Sequence, residues 1–205
     1  MDIDEKQIEQ IVGMILERLS PSDQEISPDR SFEKGDGVFR EMEDAIHAAV
    51  TAQKQLVGLP LATREKIVQG IRDVCWNNRK KYGRMELEET DIGAKEGTVL
   101  KLEVACGVPG LEDLTPEVFT GDRGITVIER IPVGVIASIN AVTNAAPSIV
   151  SNAILMLAGG NTVVNNPHPK TKVISARVVR DINQAVADCG GPPNCVNTVE
   201  NPDIP

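Results

Sequence analysis

The sequence has few aromatic residues and no long apolar run. Aromatic residues make up 2% of the 205 residues, so a folded core must come from the aliphatic side chains within the hydrophobic 41%. No apolar stretch approaches the roughly 20 residues that a membrane-spanning helix needs. The acidic N-terminus also lacks the basic region of a secretory signal. The composition therefore favours a cytosolic globular protein with no membrane partner.

Basic clusters and metal-binding cysteine motifs are also missing. The formal net charge is −9 and no block of basic residues occurs, which argues against nucleic acid and anionic lipid as partners. The cysteines form no C-x-x-C pair, and neither histidine lies near one of them: Cys75, Cys106, Cys189 and Cys195. This spacing predicts reduced thiols, without a metal site or a disulfide framework.

The first 37 residues divide into an amphipathic helix over 1–19 and a polar, flexible linker over 20–37. Five apolar residues share one stripe of that helix: Ile8, Ile11, Val12, Ile15 and Leu19. Because so short a helix is marginal alone in water, the stripe must be buried against something. Composition leaves two alternatives open, a groove on another protein or the helix's own domain.

The following residues predict several helices and one strand. A helix begins at Val38, a second begins after Thr63 as N-cap, and two more cover 79–90 and 94–106. Residues 125–130 alternate between apolar and polar side chains, which is typical of a strand.

The clearest pattern in the chain is an alternation of apolar strands and amphipathic helices. The elements follow in this order: strand 133–139, helix 147–158, strand 162–164, helix 172–189 and strand 195–199. Strands joined by helices run parallel, with right-handed crossovers. We therefore predict an α/β fold in which N-terminal helices precede part of a doubly wound, Rossmann-like parallel sheet. The G-x-G-x-x-G dinucleotide fingerprint is absent.

Two loops follow neighbouring predicted strands, and ligands of open α/β sheets bind at this edge. The first loop contains Asn144, which precedes a helix with Pro147 in its first turn. The free N–H groups of that helix and the Asn144 amide could together stabilise an oxyanion. An asparagine here is also an ordinary helix cap or turn residue, and both roles stay open.

The second loop offers polar groups for a nucleotide. Asn165, Asn166 and His168 follow the second strand, where a dinucleotide fold contacts ribose. The alternative is a proline-stiffened connector to the next helix. No nucleophile is evident, because the chain has no G-x-S-x-G elbow and thiols in buried strands are usually inert.

The residues of these loops and strands carry a family resemblance. TGDRGITVIERIPVGVIASINAVTNAAPSIVSNAILMLAGGNTVVNNPHP closely resembles the aldehyde dehydrogenase superfamily. Within it, the match is to CoA-acylating propionaldehyde and acetaldehyde dehydrogenases of bacterial microcompartments. GVPGLEDLTPEVFTGD and PPNCVNTV agree as well, so the resemblance covers about residues 37–200. It implies an NAD-dependent enzyme that oxidises a short aldehyde to an acyl-CoA through a cysteine thiolate.

The resemblance also implies roles for single residues. Asn144 matches the asparagine whose side-chain amide helps to hold the oxyanion, although Ala145 replaces the proline that usually follows it. NAD and coenzyme A are thought to use overlapping sites in these enzymes. The residues expected to contact these cofactors are Ile139, Asn140, Asn165, Pro167 and His168.

Assembly and location follow from the same resemblance. Residues 1–19 and their linker resemble an encapsulation peptide, which implies docking to a shell protein in the lumen of a cytoplasmic microcompartment. The strand 125–131 resembles a part of the fold that supports contacts within a homo-oligomer.

The family's nucleophilic cysteine would lie beyond residue 205. We therefore expect 38–205 to be a partial NAD- and CoA-binding domain, truncated naturally or artificially, without the catalytic cysteine domain and inactive alone. The alternatives are a non-catalytic cargo or scaffold protein that docks to the shell through 1–19, and a bare nucleotide-binding module.

Overall fold

Helices and strands make up most of residues 35–203, the part of the chain that the computed structural model describes. In chain order the elements are β1 (Val38–Phe39), α1 (Met42–Val57), α2 (Leu61–Thr90), α3 (Lys95–Cys106), β2 (Glu117–Gly121), β3 (Gly124–Ile128), β4 (Val135–Asn140), α4 (Ala145–Ala158), β5 (Thr162–Pro167), α5 (Lys172–Asp188) and β6 (Val196–Val199). Short 3-10 turns cover Leu111–Asp113 and Pro169–Thr171. The predicted helix 1–19 and most of the predicted linker lie outside the described residues.

Four parallel strands form the central sheet in the order β1-β6-β5-β4. This arrangement confirms the predicted α/β fold with a parallel sheet. The register places Ser138 beside Asn165, and Asn165 beside Thr198. Because partners on neighbouring strands point to the same face, these three polar residues form one row across the sheet.

Helices cover both faces of the sheet, as a doubly wound fold requires. Helix α1 packs on one face, and α4 and α5 pack on the other, with α2 and α3 outside them. The larger core lies between α2, α4 and α5, where Ile71, Ile149 and Ile182 are fully buried. Within residues 35–203, none of the helices combines the length and apolar character that crossing a membrane requires.

The predicted N-terminal helices differ from the structure in two ways. Val38 begins no helix, because Val38 and Phe39 pair with β6 and the helix begins at Met42. Residues 61–90 form one helix of 30 residues instead of two, so Thr63 is not an N-cap. The polar run 77–81 interrupts the apolar periodicity, but it contains no proline or glycine that would end the helix.

The last residues of the segment 20–37, predicted to be a linker, are bonded to the sheet. The Gly37 N–H donates to Asn194 Oδ1 at 3.2 Å, and the Gly37 carbonyl accepts from Thr198 N at 2.8 Å. Gly37 has a φ of 78°, and a Cβ there would collide with the Asn183 side chain. This position therefore requires glycine.

A separate antiparallel hairpin joins the helical half of the chain to the sheet half. The predicted strand 125–130 is β3, and β2, which the sequence analysis did not identify, is its partner. Both strands are exposed along their whole length. The hairpin therefore presents apolar side chains at the surface, among them Val118, Phe119 and Ile125.

Candidate functional site

The predicted ligand-binding residues lie where β4 and β5 end. Asn140 pairs in register with Pro167, and Ile139 pairs with Asn166. The N–H of His168 donates to the Asn140 carbonyl at 3.1 Å. The structure thus brings both predicted loops to the same edge of the sheet, while their contact with a cofactor stays a prediction.

Carboxamide oxygens at this edge lack hydrogen-bond donors within the described residues. Asn140 donates its Nδ2 to Ser138 Oγ at 3.2 Å, and Asn165 donates its Nδ2 to the Asn197 carbonyl at 3.2 Å. The Oδ1 atoms of Asn140, Asn165 and Asn166 are buried without partners. A buried acceptor without a donor is unfavourable. The Asn140 and Asn165 side chains share one face of the sheet, and the Asn166 side chain lies on the opposite face.

The His168 ring has a defined tautomer when neutral. Its Nδ1 accepts a hydrogen bond from the N–H of Lys170 at 3.1 Å. An accepting Nδ1 places the proton of a neutral ring on Nε2. The half-buried ring can therefore donate from Nε2.

Ile139 differs from its neighbours at the end of β4. Its side chain is 89% exposed, on the face of the sheet opposite to the Asn140 side chain. In the described residues β4 pairs only with β5, so its other edge is open. Ile139 could offer a ligand an apolar surface but no polar contact from its side chain.

Asn144 is the N-cap residue of α4, yet its side chain does not cap the helix. Its Nδ2 donates instead to Ser148 Oγ at 3.3 Å, and its backbone carbonyl accepts from Ser148 N at 3.1 Å. An amide group carries two donor hydrogens, so the half-buried Asn144 retains a second N–H for another acceptor. The ordinary capping role is not present in the structure.

A buried carboxylate that the sequence analysis missed holds the start of α4. Glu86 of α2 is 3% exposed, and its Oε2 accepts the N–H of Ala146 at 3.2 Å. On the other side of the loop, Lys101 Nζ donates to the Thr143 carbonyl at 2.7 Å. Burial raises the pKa of Glu86, while the Ala146 N–H and the Lys101 charge oppose that shift. The expectation that this helix presents free N–H groups to an anion is therefore wrong for Ala146.

A second carboxylate of α2 caps the next helix. Glu89 accepts the N–H of Val173 through Oε1 and the N–H of Ile174 through Oε2, each at 2.8 Å. Glu86 and Glu89 are three residues apart and so share one face of α2. Neither α4 nor α5 has an acidic residue in its own first turn. One long helix thus supplies the negative charge that both helix N-termini favour.

Three of the four cysteines, Cys75, Cys106 and Cys195, are buried and do not supply a nucleophile near these loops. Burial raises the pKa of Cys195 to about 12 and that of Cys106 to about 11, and it also raises the pKa of Cys75. Only the thiolate is reactive, so these thiols are poor nucleophiles, in agreement with the sequence analysis. The described residues contain no group of three or more His, Cys, Asp and Glu side chains that could hold a metal ion.

Comparison with known proteins identifies the family of the chain. It matches the aldehyde dehydrogenase family over residues 17–203. It is 38% identical to the acetaldehyde dehydrogenase (acetylating) EutE of Salmonella typhimurium over 203 residues. That alignment covers 98% of this chain but 42% of the relative. The chain therefore spans about two-fifths of the length of the relatives it matches.

Solved structures agree with the fold. The propionaldehyde dehydrogenase of Rhodopseudomonas palustris with bound CoA and an acylated cysteine superposes with a TM-score of 0.80 and 46% identity, covering 82% of this chain and 39% of that one. The propionaldehyde dehydrogenase from the fucose utilisation bacterial microcompartment of Clostridium phytofermentans gives a TM-score of 0.79 and 41% identity, with the same coverages.

Proposed function

The chain belongs to the aldehyde dehydrogenase family, and we propose that it forms part of an NAD-dependent, CoA-acylating enzyme that converts a short aldehyde to an acyl-CoA. The observation that carries this proposal is the Asn144 amide, which lies at a helix N-terminus without capping that helix. The similarity to acetylating and propionaldehyde dehydrogenases supports the same reaction class.

Asn144 is proposed to act as an oxyanion donor. Its second Nδ2 hydrogen would bond to the oxygen that becomes negative when a thiolate adds to an aldehyde carbonyl. A donor aimed at such an oxygen contributes roughly 100- to 1,000-fold to turnover. Asn144 is a neutral donor, so it needs no change of protonation during the reaction.

The edge formed by β4 and β5 fits a nucleotide. Ribose hydroxyls are donors, and the partnerless oxygens of Asn140 and Asn165, which share one face of the sheet, are the proposed acceptors. His168 Nε2 would donate to a hydroxyl or phosphate oxygen. Pro167 would give the site apolar surface on the Asn140 face of the sheet, and Ile139 would give it on the opposite face. NAD supplies a hydride acceptor when bound, and CoA supplies the thiol that takes the acyl group.

Assembly and location are part of the proposal. Residues 1–19 are proposed to dock to a microcompartment shell protein, which agrees with a microcompartment relative and with the apolar stripe of that segment. The exposed hairpin of β2 and β3 is proposed to contact a second copy of the chain. Deleting residues 1–19 should abolish co-purification with shell proteins, and unchanged co-purification would exclude the docking role.

The reaction is tested with the full product of the gene that encodes these 205 residues, because the 205-residue chain by itself is expected to be inactive. We expect propanal or acetaldehyde to reduce NAD only when CoA is present, with acyl-CoA identified as the product by mass spectrometry. Reduction of NAD without CoA, with a carboxylic acid as the product, would refute the acylating reaction. Calorimetry with the 205-residue chain tests the nucleotide site separately: NAD and CoA should compete for binding, and no heat from either would contradict the site.

A further inference from the structure

Asn144 and Glu86 can hydrogen-bond to the same backbone group. An N-cap side chain normally accepts the N–H of the second or third helical residue. In α4 the third residue is Pro147, which has no N–H. The second is Ala146, whose N–H is held by Glu86 Oε2 at 3.2 Å. Glu86 thus occupies the donor that an Asn144 cap would need.

The surroundings of Glu86 stabilise it in this place. The carboxylate is buried between α2 and α4, and α3 contributes Lys101, whose charge favours the ionised form. Lys101 also holds the Thr143 carbonyl, next to Asn144. The loop is therefore fixed by two charged side chains from two different helices, and Asn144 itself contributes no cap.

We propose that Glu86 is a positioning residue that keeps the Asn144 amide available to the substrate. By holding the Ala146 N–H, Glu86 removes the reason for Asn144 to turn back and cap α4. Without Glu86, the Asn144 Oδ1 would accept the Ala146 N–H, and the amide would turn away from the site. This inference rests on the proposed role of Asn144, but the competition for Ala146 is independent of activity.

The competition is tested by a double-mutant cycle in the 205-residue chain, with Tm as the readout. In the Glu86→Ala background, Asn144→Ala should lower Tm by about 2–4 °C, the effect of losing an N-cap in a domain of this size. In the wild-type background the same change should lower Tm by less than about 1 °C. Equal shifts in both backgrounds would overturn the proposal, because a merely structural Glu86 would not couple to Asn144.

Two further variants keep the cycle interpretable. If Glu86→Ala does not fold, Glu86→Asp takes its place, because the shorter side chain withdraws the carboxylate from Ala146 while leaving a smaller cavity. Glu86→Gln keeps an acceptor oxygen at the same distance. In the Glu86→Gln background, Asn144→Ala should therefore lower Tm as little as it does in the wild type. A larger decrease would also contradict the proposal.

Kinetics of the protein expressed from its own gene give the second readout. Glu86→Ala should lower kcat at least about 10-fold with KM for NAD changed by less than about twofold, because the lost interaction acts at the transition state. The control is Glu88→Ala, an exposed residue of the same helix, which should leave kcat unchanged. An unchanged kcat in Glu86→Ala would overturn the positioning role. An inactive wild type would refute the proposed function. The double-mutant cycle would then still test whether Glu86 and Asn144 compete for the Ala146 N–H.

Discussion

The carboxylate of Glu89 lies 2.8 Å from the backbone nitrogen of Ile174, at the start of a helix 85 residues further along the chain. The same carboxylate also accepts the N–H of Val173. Together with Glu86, it ties α2 to both helices that cover one face of the sheet. Helix α2 therefore fixes the starting points of α4 and α5, where the candidate site lies.

Glu89→Ala should lower the free energy of unfolding by about 1–2 kcal/mol, because two N–H groups at the start of α5 lose a charged acceptor. Urea denaturation monitored by circular dichroism measures this change. Glu88→Ala is the matched control, since the exposed Glu88 lies 3.9 Å from Arg84 and an exposed ion pair contributes about 0–1 kcal/mol. Equal losses in the two variants would contradict the capping role of Glu89.

Asn144→Ala should change the free energy of unfolding by less than about 0.5 kcal/mol, although removal of a capping asparagine typically lowers it by about 1 kcal/mol. The reason is that the Asn144 side chain makes no capping bond and, within the described residues, hydrogen-bonds only to Ser148 Oγ. The same urea titration measures this change in the free energy of unfolding. Glu89→Ala serves as the reference for the loss of a side chain that does cap a helix. A loss as large as that of Glu89→Ala would show that Asn144 caps α4 after all.

Glu86→Gln should reveal a specific pH dependence of stability. The pKa of Glu86 is raised in the folded protein because the carboxylate is buried. The folded state therefore holds this proton to a higher pH than the unfolded state does. The stability that protonated Glu86 contributes to the folded protein is fully present below the ordinary glutamate pKa. It is lost as pH rises through the pKa that Glu86 has in the folded protein.

Glutamine resembles protonated Glu86 at every pH. The Tm of the wild type minus that of Glu86→Gln should therefore fall as pH rises from about 4.5, and it should level off above the folded pKa. Scanning calorimetry of both proteins from about pH 4 to pH 8 measures the difference. A difference that rises with pH would mean that the folded pKa of Glu86 is lowered.

Two glycines should respond to alanine in opposite directions. Gly37 has a φ of 78°, and a Cβ there meets Asn183, so Gly37→Ala should lower the free energy of unfolding by more than about 1 kcal/mol. Gly97 lies in α3 with open space around its Cβ position, so Gly97→Ala should raise that free energy by about 0.5–1 kcal/mol. Thermal unfolding of the pair measures both shifts, and a stabilised Gly37→Ala would contradict the requirement for glycine.

The alternating half of the fold could be predicted from the sequence because local patterns determine it. The run from β4 to β6 has apolar strands, amphipathic helices and glycine stops at Gly159 and Gly190, and each element lies where the pattern indicates. The parallel direction follows from the crossover rule. The position of Asn144 at the start of α4 follows from Pro147 in the same way.

Other features could not be predicted because distant contacts decide them. Helix α2 continues through the polar run 77–81, since Tyr82 resumes the buried face that the run interrupts. Glu86 reaches Ala146 across 60 residues, and Glu89 reaches Val173 across 84. On the sequence alone, two glutamates three residues apart indicate only a solvated helix face. The caps become visible only when the helices are packed.

Turnover by Asn144→Ala tests the proposed function most directly. The protein expressed from its own gene is assayed for CoA-dependent reduction of NAD by propanal, and kcat is compared with that of the wild type. We expect kcat to fall about 100- to 1,000-fold with KM for NAD nearly unchanged, because the lost donor acts on the transition-state oxyanion. A kcat within about twofold of the wild-type value would contradict the role assigned to Asn144.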